Sequence, residues 1–152
     1  MKPTVAAVVL AAAVAGCGGS SGPSLSAFKS GFAAQKRSFH SLGLDLQKAI
    51  ATAQNKTDAQ LASEIGALAT RARQQASALG RLNPPSQYRT NLKRLQAGFT
   101  AVAGDLQQIA TAATKHDATT ARSATLALIQ DAGKVKAGDT AISAGLRLPA
   151  GA

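Results

Sequence analysis

From Leu25 onward the apolar residues recur at intervals of three and four, and no stretch alternates with a period of two. A period near 3.6 puts such residues on one stripe of a helix, whereas a half-buried strand needs strict alternation. The chain beyond residue 24 is therefore expected to be all-α. Four stripes are visible. The first carries Leu25, Phe28, Phe32, Phe39, Leu42, Leu46 and Ala53, with Gln35 and Ala49 at the intervening positions. The second carries Leu61, Ile65, Leu68, Ala72, Leu79 and Leu82. The third carries Tyr88, Leu92, Leu95, Phe99, Val102, Leu106, Ile109 and Ala113. The fourth is the weakest, with Ala121, Ala124, Leu128, Val135 and Ile142, and with Leu126 and Ile129 beside it.

Each break has a chemical reason. Asn55-Lys56-Thr57 interrupts the first stripe, and Thr57-Asp58-Ala59-Gln60 matches a capping box, in which Thr and Gln side chains satisfy each other's free backbone amides. Asn83-Pro84-Pro85 ends the second, because proline lacks a donor and disfavours helix in the residue before it. Lys115-His116-Asp117 ends the third, with Asp117 placed to cap the next helix. Gly145 and Pro149 end the fourth. Short connections make neighbours antiparallel, so the expected architecture is an up-down-up-down antiparallel four-helix bundle. A three-helix bundle with a loose fourth segment is the alternative. Much of the 45% apolar content is alanine, and only Phe28, Phe32, Phe39, Tyr88 and Phe99 are aromatic. The core is therefore expected to be shallow and its helices closely spaced. Glycines inside the helices (Gly31, Gly43, Gly66, Gly98, Gly104, Gly133, Gly138) admit two readings, close helix approach or a GC-rich codon bias.

Residues 1–24 have a different build. Lys2 is followed by an unbroken apolar run of eleven residues, Val5 to Ala15, then Gly16-Cys17. This run is short of the roughly 20 apolar residues that a membrane-spanning helix needs, and it fits the apolar region of a secretory signal. Val14-Ala15-Gly16-Cys17 resembles the lipobox of bacterial lipoproteins, an aliphatic residue, a small one, Gly or Ala, then cysteine. The resemblance implies cleavage between Gly16 and Cys17, diacylglycerol on the Cys17 thiol, and an extracytoplasmic, lipid-anchored place on the cell membrane. It also accounts for the single cysteine. Gly18-Gly19-Ser20-Ser21-Gly22-Pro23-Ser24 reads as a flexible tether that extends at most about 25 Å. The expected organisation is a signal peptide over 1–16, a lipidated cysteine and linker over 17–24, a helical domain over 25–148 and a tail over 149–152. The whole pattern, with its Leu82-Asn83-Pro84-Pro85 break, Asp-led last helix and closing Gly-Leu, resembles uncharacterised helical lipoproteins of high-GC Gram-positive bacteria, a resemblance that implies no activity.

Charge narrows the partners. There are 17 basic and 7 acidic residues, and removing 1–16 takes away only Lys2, which lowers the net from +10 to +9. Such an excess favours anionic surroundings. An exported chain rarely meets nucleic acid, which leaves phospholipid head groups or wall polymers. Arg71, Arg73 and Arg81 fall late in the second helix, and Arg89, Lys93 and Arg94 early in the third. In an antiparallel pair these six are expected to meet near Pro84-Pro85, where they are candidate contacts for an anionic surface. The other reading is a solvated cap.

Catalytic and metal constellations are not expected. His40 and His116 are the only histidines and Glu64 the only glutamate, with no His-x₃-His or Glu-x-x-His pair and no Gly-x-Ser-x-Gly elbow. A haem lacks its ligands as well, since Met1 is the only methionine. The acidic residues Asp45, Asp58, Asp105, Asp117, Asp131 and Asp139 are spread out, several at helix starts or opposite lysines. The sequence thus points to a non-enzymatic binding or interaction protein of the envelope with an unidentified protein partner and no cofactor. The alternative is a small-molecule or metal-binding bundle.

Overall fold

The computed structural model describes residues 23–149, and within them the chain forms four long helices and no strand. These are α1 (Leu25–Thr52), α2 (Asp58–Gly80), α3 (Ser86–Thr114) and α4 (Ala118–Leu146), with one 3₁₀ turn at Ala53–Asn55. Two of their starts carry the expected caps, Thr57 and Asp117, and Ser24 caps α1. Ser24 accepts from the Ala27 amide, the Thr57–Gln60 capping box is complete, and Asp117 accepts from the Thr120 amide at 3.0 Å. The Thr120 backbone and hydroxyl together hold the Asp117 carboxyl below its ordinary value. Two ends close on residues with left-handed backbone, His116 at φ 54° and Arg147 at φ 52°.

The helices form an up-down-up-down bundle. Phe32, Leu79, Leu95, Leu106 and Ile142 are its most fully buried large side chains, one or more from each helix. The fourth helix is part of this core through Ala124, Leu128, Ile142 and Leu146, so the three-helix alternative is not the fold.

The helices are not evenly spaced, and residue size explains why. α2 packs on α3, and α3 on α4, along their full lengths. Ala69, Ala72 and Ala76 line the α2 side of that contact, and Gly98 and Gly138 lie between α3 and α4. A methyl group on Gly98 would sit 2.9 Å from Val135 Cγ2, closer than carbon atoms approach. For Gly98 and Gly138, close approach is therefore the reading the structure favours, whereas Gly43, Gly66, Gly104 and Gly133 face open space. α1 presents Phe28 and Phe32 to the core where α2 presents Ala69, Ala72 and Ala76. It packs on α2 more sparsely and stands apart from α4. Aromatic rings bridge the interval to α3, with Phe28 5.4 Å from Tyr88 and Phe39 4.6 Å from Phe99 between ring centroids.

Candidate functional site

The interval between α1 and α4 leaves a cleft of about 440 Å³, within the usual size range for ligand sites. Phe39, Leu42 and Leu46 form its α1 wall, Phe99 and Val102 of α3 its floor, and Ala132 and Val135 its α4 wall. Its polar groups are few: Lys36, His40 and Gln47 from α1, Lys136 and Asp139 from α4. Gly43 lies in the α1 wall with no atom near the place of a side chain, so it widens the cleft.

Lys36 closes one end. It is only 5% exposed, a rare state for a lysine, and its ammonium is satisfied three ways. It donates to Ser143 Oγ at 3.1 Å and to the Pro149 carbonyl at 2.9 Å, and Asp139 lies 3.9 Å away. The same side chain therefore ties α1 to α4 and to the segment after α4. Sequence reading placed Gln35 on the stripe and missed Lys36. The signal was present, since Lys36 follows Phe32 by four and precedes Phe39 by three. A charged residue at a stripe position is what hid it.

His40 and Lys136 stand at the exposed rim, and neither has an ion-pair partner among the described residues. The other histidine is elsewhere. His116 Nδ1 contacts Asp58 Oδ2 at 2.5 Å and links the α3–α4 turn to the start of α2. Among the described residues no three His, Cys, Asp or Glu side chains come together as a metal site.

The six basic residues named from the sequence divide into two groups. Arg71 donates to Asp45 at 2.5 Å and to Ser41, across α1 and α2, and this bond holds the Asp45 carboxyl below its ordinary value. Arg73 donates to Gln107 at 2.9 Å. That contact lies roughly 21 Å further along α3 than Lys93, at about 1.5 Å per residue. Arg71 and Arg73 thus belong to the middle of the bundle rather than to its Pro84-Pro85 end, because the extended Arg81–Pro85 connection offsets the two helices. Arg89 and Lys93 remain at that end, beside Gly80 and Pro84. Arg81 caps α2 there, and Arg94 faces the α3–α4 groove.

That end is also where α1 begins. Phe28 lies on Tyr88, and Gly31 faces Leu82 so closely that a methyl group would meet its Cδ2 at 2.9 Å. The described chain therefore begins beside Arg81, Arg89 and Lys93. Gly16 and Cys17, with the expected signal and most of the expected tether, lie outside the described residues.

A second polar feature escaped the sequence reading. Asp105, in mid-α3, is only 8% exposed, and its Oδ2 has no partner. It faces Asp131 of α4, which pairs with Lys134 at 2.6 Å. Burial, and then the Asp131 carboxyl, push the Asp105 carboxyl above its ordinary value. A proton on Asp105 would let it donate to Asp131 and would remove the like-charge contact.

Fold and site together define an all-α bundle whose α2, α3 and α4 pack closely in sequence and which is open between α1 and α4. No protein-family model, curated protein or solved structure matches the chain.

Proposed function

We propose that the chain is a lipid-anchored, extracytoplasmic and non-enzymatic binding protein. Its anchor is the acylated Cys17, and its Pro84-Pro85 end rests against anionic head groups. The observation that carries this reading is the position of the start of α1. Contact of Phe28 with Tyr88 puts the start of α1 at the end that bears Arg81, Arg89 and Lys93, with Arg94 next to Lys93 on α3. A tether of at most about 25 Å keeps that end near the surface to which Cys17 is fixed. Each basic residue held near an anionic leaflet contributes about 1 kcal/mol. An anionic wall polymer offers the same charge, and an unidentified protein partner remains compatible with the role.

The α1–α4 cleft favours the second reading, a bundle that binds a small molecule. It is concave, mostly apolar and supplied with a few polar groups, the usual composition of a ligand site.

Vesicle binding by residues 18–152 tests the role of the basic end. Replacing Arg81, Arg89, Lys93 and Arg94 with Gln should weaken binding to anionic vesicles by on the order of 1,000-fold at low salt. Replacing Arg71 and Arg73, which are bonded within the bundle, should change it little. Equal binding by both variants and the unmodified domain would remove the basic end from the proposal.

A further inference from the structure

The cleft continues past its own walls. Leu44 and Ile50 on α1 are 51% and 60% exposed, and Leu126 and Ile129 on α4 are 58% and 65% exposed. These four are the large exposed apolar side chains of the two helices besides Leu25. Helical register puts Leu44, Ile50 and Ile129 along the cleft. Leu44, Gln47 and Ile50 follow one another at intervals of three along the α1 wall, and Ile129 leads at the same interval into Ala132 and Val135 of the α4 wall, whereas Leu126, half a revolution from Val135, lies on the opposite face of α4. α1 and α4 run antiparallel in the up-down-up-down order, and the Lys36–Ser143 bond sets them at matched heights, so Ile50 and Ile129 come to the same end. An apolar channel thus begins at His40 and Lys136 and runs to the Ile50 end, over about 15 Å at 1.5 Å per residue.

We infer that this channel holds one acyl chain of an anionic single-chain amphiphile, a long-chain carboxylate, with its head at His40 and Lys136. Length and charge both select that occupant. About 15 Å is half of the roughly 30 Å hydrocarbon core of a bilayer, the reach of one extended acyl chain. The rim at the other end is cationic, because Asp139, the one acid in the lining, is turned to Lys36. The inference rests on the small-molecule reading of the cleft and adds the chemistry of the ligand.

Photo-crosslinking in membranes containing the full chain tests it. The probes are a long-chain carboxylate with a diazirine near its tail end and the neutral methyl ester of the same compound. Mass spectrometry locates the adducts. Carboxylate adducts are expected on Leu44–Ile50 and Ile129–Val135, and excess unlabelled carboxylate should remove them. Gly43→Phe, which fills the channel, should lower them at least fivefold, and Gly43→Ala should leave them, with unchanged circular dichroism in both. Lys136→Glu should lower carboxylate labelling about tenfold and leave ester labelling unchanged. Carboxylate adducts spread evenly over α2 and α4, or insensitive to Gly43→Phe, would overturn the inference. Ester adducts in the channel as strong as those of the acid would overturn the anionic head alone and leave the cleft as a binding site. No channel adduct from either probe would overturn both.

Discussion

Lys36 of α1 donates to Ser143 of α4 across 107 positions of sequence, and the bond is buried. It holds together the two helices that otherwise stand apart. Lys36→Met keeps the buried stem and removes the donors, leaving Ser143 and the Pro149 carbonyl short of a partner. The expected cost is about 1–3 kcal/mol, read as a lower urea midpoint with an unchanged slope. Lys36→Ala should cost more, because the stem packs against apolar surface. If Lys36→Met equalled the unmodified chain, the bond would contribute nothing to holding α1 on α4.

Asp105 gives a pH dependence with a definite sign. Its folded-state pKa lies above the unfolded value of 3.8, so the folded state binds the proton more tightly. The stabilisation is fully present below that unfolded value and is lost as pH rises through the folded one. At neutral pH the buried carboxylate therefore works against the fold. Asp105→Asn supplies a permanent donor toward Asp131 and should raise stability at pH 7 by on the order of 1 kcal/mol. The advantage should shrink as pH falls toward 4. Melting temperatures of the two proteins across that range check it, and a constant difference would show that Asp105 does not titrate as described.

Two glycines of similar sequence context should respond in opposite ways. Gly43→Ala puts a methyl group into open space in mid-helix and should stabilise by up to about 1 kcal/mol. Gly98→Ala gains the same helix propensity but drives a methyl group against Val135 Cγ2. Overpacking of this kind costs typically about 1–3 kcal/mol, so the net effect should be destabilising. Denaturant titration of both variants distinguishes them, and equal effects would contradict the close α3–α4 contact.

The capping box makes a smaller and cleaner case. Thr57→Ala leaves the Gln60 amide without its side-chain acceptor and should cost about 1 kcal/mol. An amide-exchange measurement should show the loss concentrated in the first turn of α2. Unchanged protection there would mean that the Lys56–Glu64 pair, not the cap, sets the start of the helix.

The helices were legible because periodicity and capping are local. The Thr57–Gln60 box, the Asp117 cap and the Pro84-Pro85 break each act within a few residues, and each marks a helix boundary in the structure. Distances between helices were not legible. The stripes of α1 and α3 look alike in sequence, yet phenylalanine on one and Gly98 on the other leave α1 separated and α3 in close contact. The weakest stripe belongs to α4, but α1 is the more loosely packed helix. The basic residues illustrate the same limit. Sequence proximity to Pro84-Pro85 grouped six, whereas the register set by Arg73 and Gln107 leaves four. The burial of Lys36 and Asp105 was not legible because a charged residue in a helical pattern reads as solvated, and only the neighbouring helix reveals it.

Anchoring through Cys17 is the premise on which the proposed orientation depends, and metabolic labelling with palmitate tests it most directly. The unmodified chain should carry the label and be cut between Gly16 and Cys17. A Cys17→Ala variant should carry none and remain unprocessed by the lipoprotein pathway. Label that persists in Cys17→Ala would contradict the anchor and, with it, the placement of the basic end on a membrane.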